Sequence, residues 1–127
     1  MRLDDIVRSS EPVTAFKAGD TIFREGEPGD FMYILVEGQV EVVVRGVAVG
    51  IFEPVEVFGE MAVIDPKPRS AAVVAKTNCR LIAINQKRFL FLIQQKPQFA
   101  IDLMKILVER IRWMDTQTKQ KEPQPQH

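Results

Sequence analysis

Between Phe58 and Ala72 the sequence gathers residue types that hold an anion beside a hydroxyl group. It reads Phe58-Gly59-Glu60-Met61-Ala62-Val63-Ile64, then Asp65-Pro66-Lys67-Pro68, then Arg69-Ser70-Ala71. Gly59 lets the backbone approach a ligand closely. The run from Glu60 to Ile64 is compatible with a short helix, and the free N–H groups of a helix's first turn favour an anion. Asp65, Pro66 and Pro68 end that run, because a proline ring blocks helix continuation and biases the residue before it away from helix. Arg69 supplies a planar fork of donors matched to phosphate oxygens. Glu60 supplies a carboxylate that accepts from hydroxyls. A ligand that satisfies both carries a phosphate next to a sugar hydroxyl. Taken singly, each residue has a plainer role: Glu60 and Arg69 a surface ion pair worth little, Ser70 a strand start, Gly59 and Pro68 turn chemistry. Their order on the chain points to binding.

Strands must position this stretch. Val13 to Phe16, Thr21 to Arg24, Phe31 to Val36, Gln39 to Val44 and Val47 to Phe52 read as strands, separated by turn residues such as Gly19-Asp20, Pro28-Gly29, Gly38 and Arg45-Gly46. Val40, Val42 and Val44 alternate and so share one face. Val57-Phe58 leads into the stretch, and Ser70 to Lys76 and Arg80 to Ile84 follow it. About eight short strands with Gly, Pro and Asp turns indicate a β-sandwich, barrel or jelly roll. Leu3, Ile6 and Val7 have helical spacing, which predicts a short helix over residues 3–9.

Two helices follow the strands. Asn85 is an N-cap for Gln86 to Gln95, and Pro97 opens a second helix at the first helical position, running to about Thr116. Phe99, Leu103, Ile106, Arg110 and Trp113 fall on one stripe of it, apolar except at Arg110, with Leu107, Ile111 and Met114 beside it. A charge in such a seam snorkels or finds a partner. The stripe is long enough for a homodimer and equally able to pack on the strands.

With 127 residues, 46% of them apolar, the chain reads as one domain over residues 1–116 and a disordered Gln-, Lys- and Pro-rich tail over 117–127. Lys+Arg and Asp+Glu number 17 each, a balance that argues against general nucleic-acid affinity. The tail is too short for a helix-turn-helix, no apolar run approaches a membrane span, and no signal peptide follows Arg2, Asp4 and Asp5. Cys79, the only cysteine, excludes an internal disulfide, fits a cytoplasmic location and reads as a buried thiol. The only histidine is His127, so no metal cluster and no histidine-based catalytic arrangement can be assembled.

The stretch from Phe58 to Ala72 resembles the phosphate-binding cassette of the cyclic-nucleotide-binding domain family: Phe-Gly-Glu-(Leu/Met/Ile)-Ala, a spacer, then Pro-Arg-(Ala/Ser/Thr)-Ala. Gly38-Gln39-Val40-Glu41-Val42 is similar to the family's Gly-x-Val-x-Val, and the likeness covers roughly residues 10–115. Pro54-Val55-Glu56 departs from the family's usual Pro-Gly-Asp. The resemblance implies an eight-stranded β-roll or jelly roll with a short cassette helix and two C-terminal helices. It implies a non-catalytic sensor for cyclic AMP, ahead of cyclic GMP, that needs no other cofactor. Gly59, Glu60, Met61, Ala62, Arg69, Ser70 and Ala71 would then form the phosphate and ribose site. Glu60 would take the ribose 2′-hydroxyl and Arg69 the cyclic phosphate, with backbone N–H groups near Ala62 and Ser70 completing the cage. Arg110, Trp113 and Met114 on the last helix would cover the purine. The output would pass through the C-terminal helices to a second copy or an effector protein. Two other classes fit the residues less well: a ligand-silent interaction domain of the same fold, which the intact Glu60 and Arg69 oppose, and a cupin-type enzyme, which the missing histidines oppose.

Overall fold

The computed structural model describes residues 12–121 except 55 and 66, with side chains through Trp113. The chain order is β1 (Val13–Phe16), β2 (Thr21–Phe23), β3 (Phe31–Glu37), β4 (Val40–Val44), β5 (Val47–Phe52), β6 (Val57–Phe58), α1 (Met61–Ile64), β7 (Ala72–Ala75), β8 (Cys79–Asn85), α2 (Gln86–Gln95) and α3 (Pro97–Lys121). The fold is mainly β, as expected. Two antiparallel four-stranded sheets have the orders β1-β8-β3-β6 and β2-β7-β4-β5. The helix expected over residues 3–9 lies outside the described residues.

The period of two along each strand sorts the core into two compartments. On β3, Met32 and Ile34 join Ile82 and Ile84 of β8 in a cluster that Phe89, Leu92, Phe99 and Leu103 complete from α2 and α3. The alternate residues Leu35 and Leu81 turn to the other face and meet Phe23, Val40, Phe58 and Val73. The first sheet is therefore covered on both faces, by the helices and by the second sheet. That is why β3 and β8 read as nearly continuous apolar runs. The chain crosses from one sheet to the other between β6 and β7, and the Phe58–Ala71 stretch makes this crossing.

Local signals set the helix boundaries. The Asn85 side chain accepts the Arg88 N–H at 2.8 Å and caps α2. The Lys96 N–H donates to the Leu92 carbonyl and closes α2 one residue before Pro97 opens α3. Helix α3 continues past Thr116 to Lys121, because Asp115 to Lys121 contains neither proline nor glycine to stop it. Within α3 the expected stripe splits. Phe99 and Leu103 are buried and Ile106 packs against the same cluster, so this part is used by the β-roll. Trp113 at the end of the stripe is 62% exposed. A second series, Ile101, Met104, Val108 and Ile111, also runs at helical spacing and is exposed. No described helix is long and apolar enough to cross a membrane.

Cys79 is buried, and desolvation pushes its thiol above the ordinary range, with the charge of Asp20 adding to the effect. Since the thiolate is the reactive form, native Cys79 should react with a thiol reagent at pH 8 at least about 100-fold more slowly than in denaturant. A colorimetric thiol assay checks this on the chain's only cysteine. The orientation of α3 has its own test. Phe99→Ala should lower stability by about 3–5 kcal/mol in urea unfolding, as removal of a buried ring does. Ile101→Ala, on the exposed series, should change it by no more than about 0.5 kcal/mol.

Candidate functional site

The cassette is built as a turn, a short helix and a return strand. Gly59 has φ of 72°, a left-handed conformation that turns the chain out of β6. Helix α1 is a single turn. The Ala62 and Val63 N–H groups donate to the carbonyls of Gly59 and Glu60, each at 3.1 Å, and Ile64 donates to Glu60 at 3.2 Å. In a helix this short, bonds to the third residue back satisfy groups that a longer helix leaves open at its start. The Ala62 N–H, expected to face an anion, is thus spent on closing the turn. Farther on, the Gly26 N–H donates to the Arg69 carbonyl at 2.7 Å and the Arg69 N–H donates to the Glu27 carbonyl at 2.8 Å. These two bonds strap the end of the cassette to the loop between β2 and β3. The Glu27 side chain firms that loop by accepting the Arg24 N–H at 3.0 Å.

A cavity of about 330 Å³ lies against this structure, within the range of small-molecule sites of about 300–1,000 Å³. Its lining divides by chemistry. The cassette contributes Gly59, Glu60, Met61 and Ala62, then Lys67 to Ala71. An apolar part comes from Phe23, Val42, Phe52, Phe58 and Val73. Arg110 reaches the cavity from α3.

Two arginines set the electrostatics. Arg69 is 9% exposed, the one buried charged residue among those described. Its Nη1 donates to the Gly59 carbonyl at 3.2 Å and its Nη2 to the Phe31 carbonyl at 2.7 Å. The guanidinium carbon lies 3.9 Å from the centre of the Phe23 ring, a cation–π distance. Nε is buried and has no hydrogen-bond partner among the described residues. Burial lowers the guanidinium's pKa below the usual arginine value, against the opposing pull of Tyr33, Asp30, Glu27 and Glu60. Arg110 is held differently. Its Nη1 donates to Glu60 Oε1 at 2.9 Å in a partly buried ion pair, and its Nη2 donates to the Val57 carbonyl. Its guanidinium lies 4.9 Å from the Phe52 ring centre. The Phe23 and Phe52 rings both pack on Phe58, at 6.2 and 5.6 Å between centroids. The two cations therefore rest on one aromatic cluster.

Comparison with known proteins gives this cavity a context. The profile described as the cyclic nucleotide-binding domain matches residues 13–96, which include the whole cassette. The chain belongs to that family. A CRP-like cAMP-activated global transcriptional regulator from Mycobacterium tuberculosis is 30% identical over 112 residues, covering 84% of this chain and 50% of the regulator. A cyclic nucleotide-gated potassium channel from Mesorhizobium japonicum is 40% identical over 109 residues, covering 85% of this chain and 30% of the channel. Among solved structures, the catabolite activator protein of Thermus thermophilus superposes with a TM-score of 0.80 at 29% identity, covering 92% of this chain and 57% of that one. The chain thus spans half or less of the length of these curated relatives.

As a member of this family, the cyclic nucleotide-binding domain gathers most of its sequence-derived site residues in one place. Gly59, Glu60, Met61, Ala62, Arg69, Ser70, Ala71 and Arg110 all line the cavity. Trp113 does not: it is exposed and lines a second groove with Glu56, Lys105, Ile106 and Glu109, which borders the cavity at Arg110. The Met114 side chain lies outside the described residues. Val55, in the departure from the family's usual loop, is also outside them; its neighbours close a turn in which the Glu56 N–H donates to the Glu53 carbonyl at 2.9 Å. The apolar lining from Phe23, Val42 and Phe52 was not singled out from sequence. The face-sharing of Val40, Val42 and Val44 was the signal that pointed there.

The Arg110–Glu60 pair is open to a double-mutant cycle. Arg110→Ala, Glu60→Ala and the double variant, compared by urea unfolding without ligand, should give a coupling energy of about 0.5–3 kcal/mol. A value indistinguishable from zero would mean that α3 is not held to the cassette by this pair.

Proposed function

We propose that this domain binds a cyclic nucleotide as a non-catalytic sensor, cyclic AMP in preference to cyclic GMP. The observation that carries the reading is the cavity itself. It brings the hydroxyl-accepting Glu60, the cationic Arg69 and the Ser70 position to one side of an apolar lining suited to a purine. The phosphate goes to Arg69 and Ser70, the ribose hydroxyl to Glu60 and the base to the lining of Val42 and Phe52, with Arg110 near it. Cyclic AMP is favoured because the Mycobacterium tuberculosis regulator is named as cAMP-activated, and Ala or Ser after the cassette arginine is common among cyclic-AMP binders.

The output passes through α2 and α3. A ligand that prefers the form with α3 docked shifts the population toward it by its differential affinity. Arg110 supports this relay because it joins α3 to Glu60, the residue assigned to the ribose. The receiving surface is the exposed series Ile101, Met104, Val108 and Ile111, presented to a second copy or to an effector protein.

Calorimetric titration with cyclic AMP and cyclic GMP tests the reading. Micromolar or tighter binding is expected, with the stronger affinity for cyclic AMP. Arg69→Ala removes charge-assisted hydrogen bonds of about 1.5–3 kcal/mol, so it should weaken binding about 10- to 150-fold. Absence of both heat and thermal shift with either nucleotide would instead make this a ligand-silent interaction domain.

A further inference from the structure

We propose that Gly29 is a positioning residue of the phosphate site, because its missing side chain leaves the space in which the Arg69 guanidinium lies. The inference rests on the assignment of the phosphate to Arg69 and adds the residue that sets where that side chain sits. A Cβ built on Gly29 would stand 2.9 Å from Arg69 Nε, closer than real Cβ atoms come, and 3.0 Å from Cζ, tighter than nine in ten real contacts. It would also stand 3.2 Å from the Ala62 Cβ. On another side, a Cβ on Gly59 would stand 2.8 Å from Nη1. The Phe23 ring and the Phe31 carbonyl bound the guanidinium further, at 3.9 and 2.7 Å. Moving the group out of this slot breaks its bonds to the Gly59 and Phe31 carbonyls.

The backbone gives a separate reason to assign Gly29 to the arginine. Gly19, Gly26, Gly38, Gly46 and Gly59 all have positive φ, which by itself favours glycine. Gly29 does not, so an alanine there suffers no left-handed strain. What the wider side chain meets is Arg69. Nor can the Arg69 backbone retreat, since its N–H and carbonyl are both bonded to the loop that carries Gly29. The guanidinium so held is desolvated, and its buried Nε has no hydrogen-bond partner among the described residues. A fixed cation with donor capacity to spare is matched to an anion, and its binding strength depends on its staying fixed.

The test is a cycle of Gly29→Ala, Arg69→Ala and the double variant, made in the full chain and titrated with cyclic AMP. Gly29→Ala should weaken binding about 10-fold or more, a shift of about 1.4 kcal/mol. In the Arg69→Ala background the same change should alter affinity by no more than about 2-fold, because its effect travels through the arginine. An equal loss in both backgrounds, an unchanged affinity, or tighter binding by Gly29→Ala would each overturn the proposal. A second readout needs no ligand. In ¹⁵N-arginine spectra the Arg69 Nε–H should be protected from solvent exchange in the native chain and exposed in Gly29→Ala; protection that survives the substitution would also overturn it. If the native chain binds neither cyclic nucleotide, the sensor reading fails, while this spectrum still decides whether Gly29 sets the arginine. Should Gly29→Ala fail to fold, Phe23→Leu opens the slot from the ring side and is read by the same Nε–H signal, with exposure expected and retained protection counting against the slot.

Discussion

A positive charge taken out of water organises the centre of this molecule. Moving an ion into a protein interior costs several kcal/mol even after relaxation, and a nearby carboxylate is the usual compensation. Arg69 has instead two backbone carbonyls and the face of Phe23. Each must be placed by its own element: the Gly59 carbonyl by the left-handed turn after β6, the Phe31 carbonyl by the start of β3, the ring by β2. The loop between β2 and β3 then holds the arginine's own backbone from both sides. These elements come from both sheets, so the charge is a point at which the two halves of the β-roll must agree.

The second arginine contrasts with the first. Arg110 comes from α3, is only partly buried and has a carboxylate partner in Glu60. Arg69 makes no ion pair among the described residues, although Asp30, Glu27 and Glu60 act on it through their charges; Arg110 carries a counterion from the neighbouring part of the same cassette. Both rest on rings packed around Phe58. On the sensor reading, the hydroxyl of an incoming nucleotide seeks the carboxylate that already holds α3. Occupancy of the cavity and the attachment of the last helix then depend on a shared side chain, with no longer chain of contacts needed between them.

The strands were largely legible because alternation and turn residues are local signals. The limits of β5 and α2 match their sequence-derived ranges, and the Asn85 cap stands where its residue type placed it. The cassette was legible because its glycine, carboxylate and arginine are close in sequence. The partner of Arg110 was not, since Glu60 lies fifty positions away and sequence spacing does not carry pairings over such distances. The faces of α3 were ambiguous for a related reason. Phe99, Leu103 and Ile106 satisfy helical spacing, but so do Ile101, Met104, Val108 and Ile111, and only packing against β3 and β8 shows which series is covered. The retracted setting of Arg69 was also hidden, because it depends on a glycine forty positions earlier in the chain.

The cassette is fastened separately at its two ends. Helix α1 is closed on Gly59 and Glu60, and Arg69 is strapped to the loop after β2. Asp65, Lys67 and Pro68 between them are exposed. Neither fastening uses the spacer to fix its geometry, so the distance along the chain from Ile64 to Arg69 is not what sets the distance in space between Glu60 and Arg69. Spacer length is therefore a variable on which natural variation can act: residues can be gained or lost there while the carboxylate and the guanidinium keep their places.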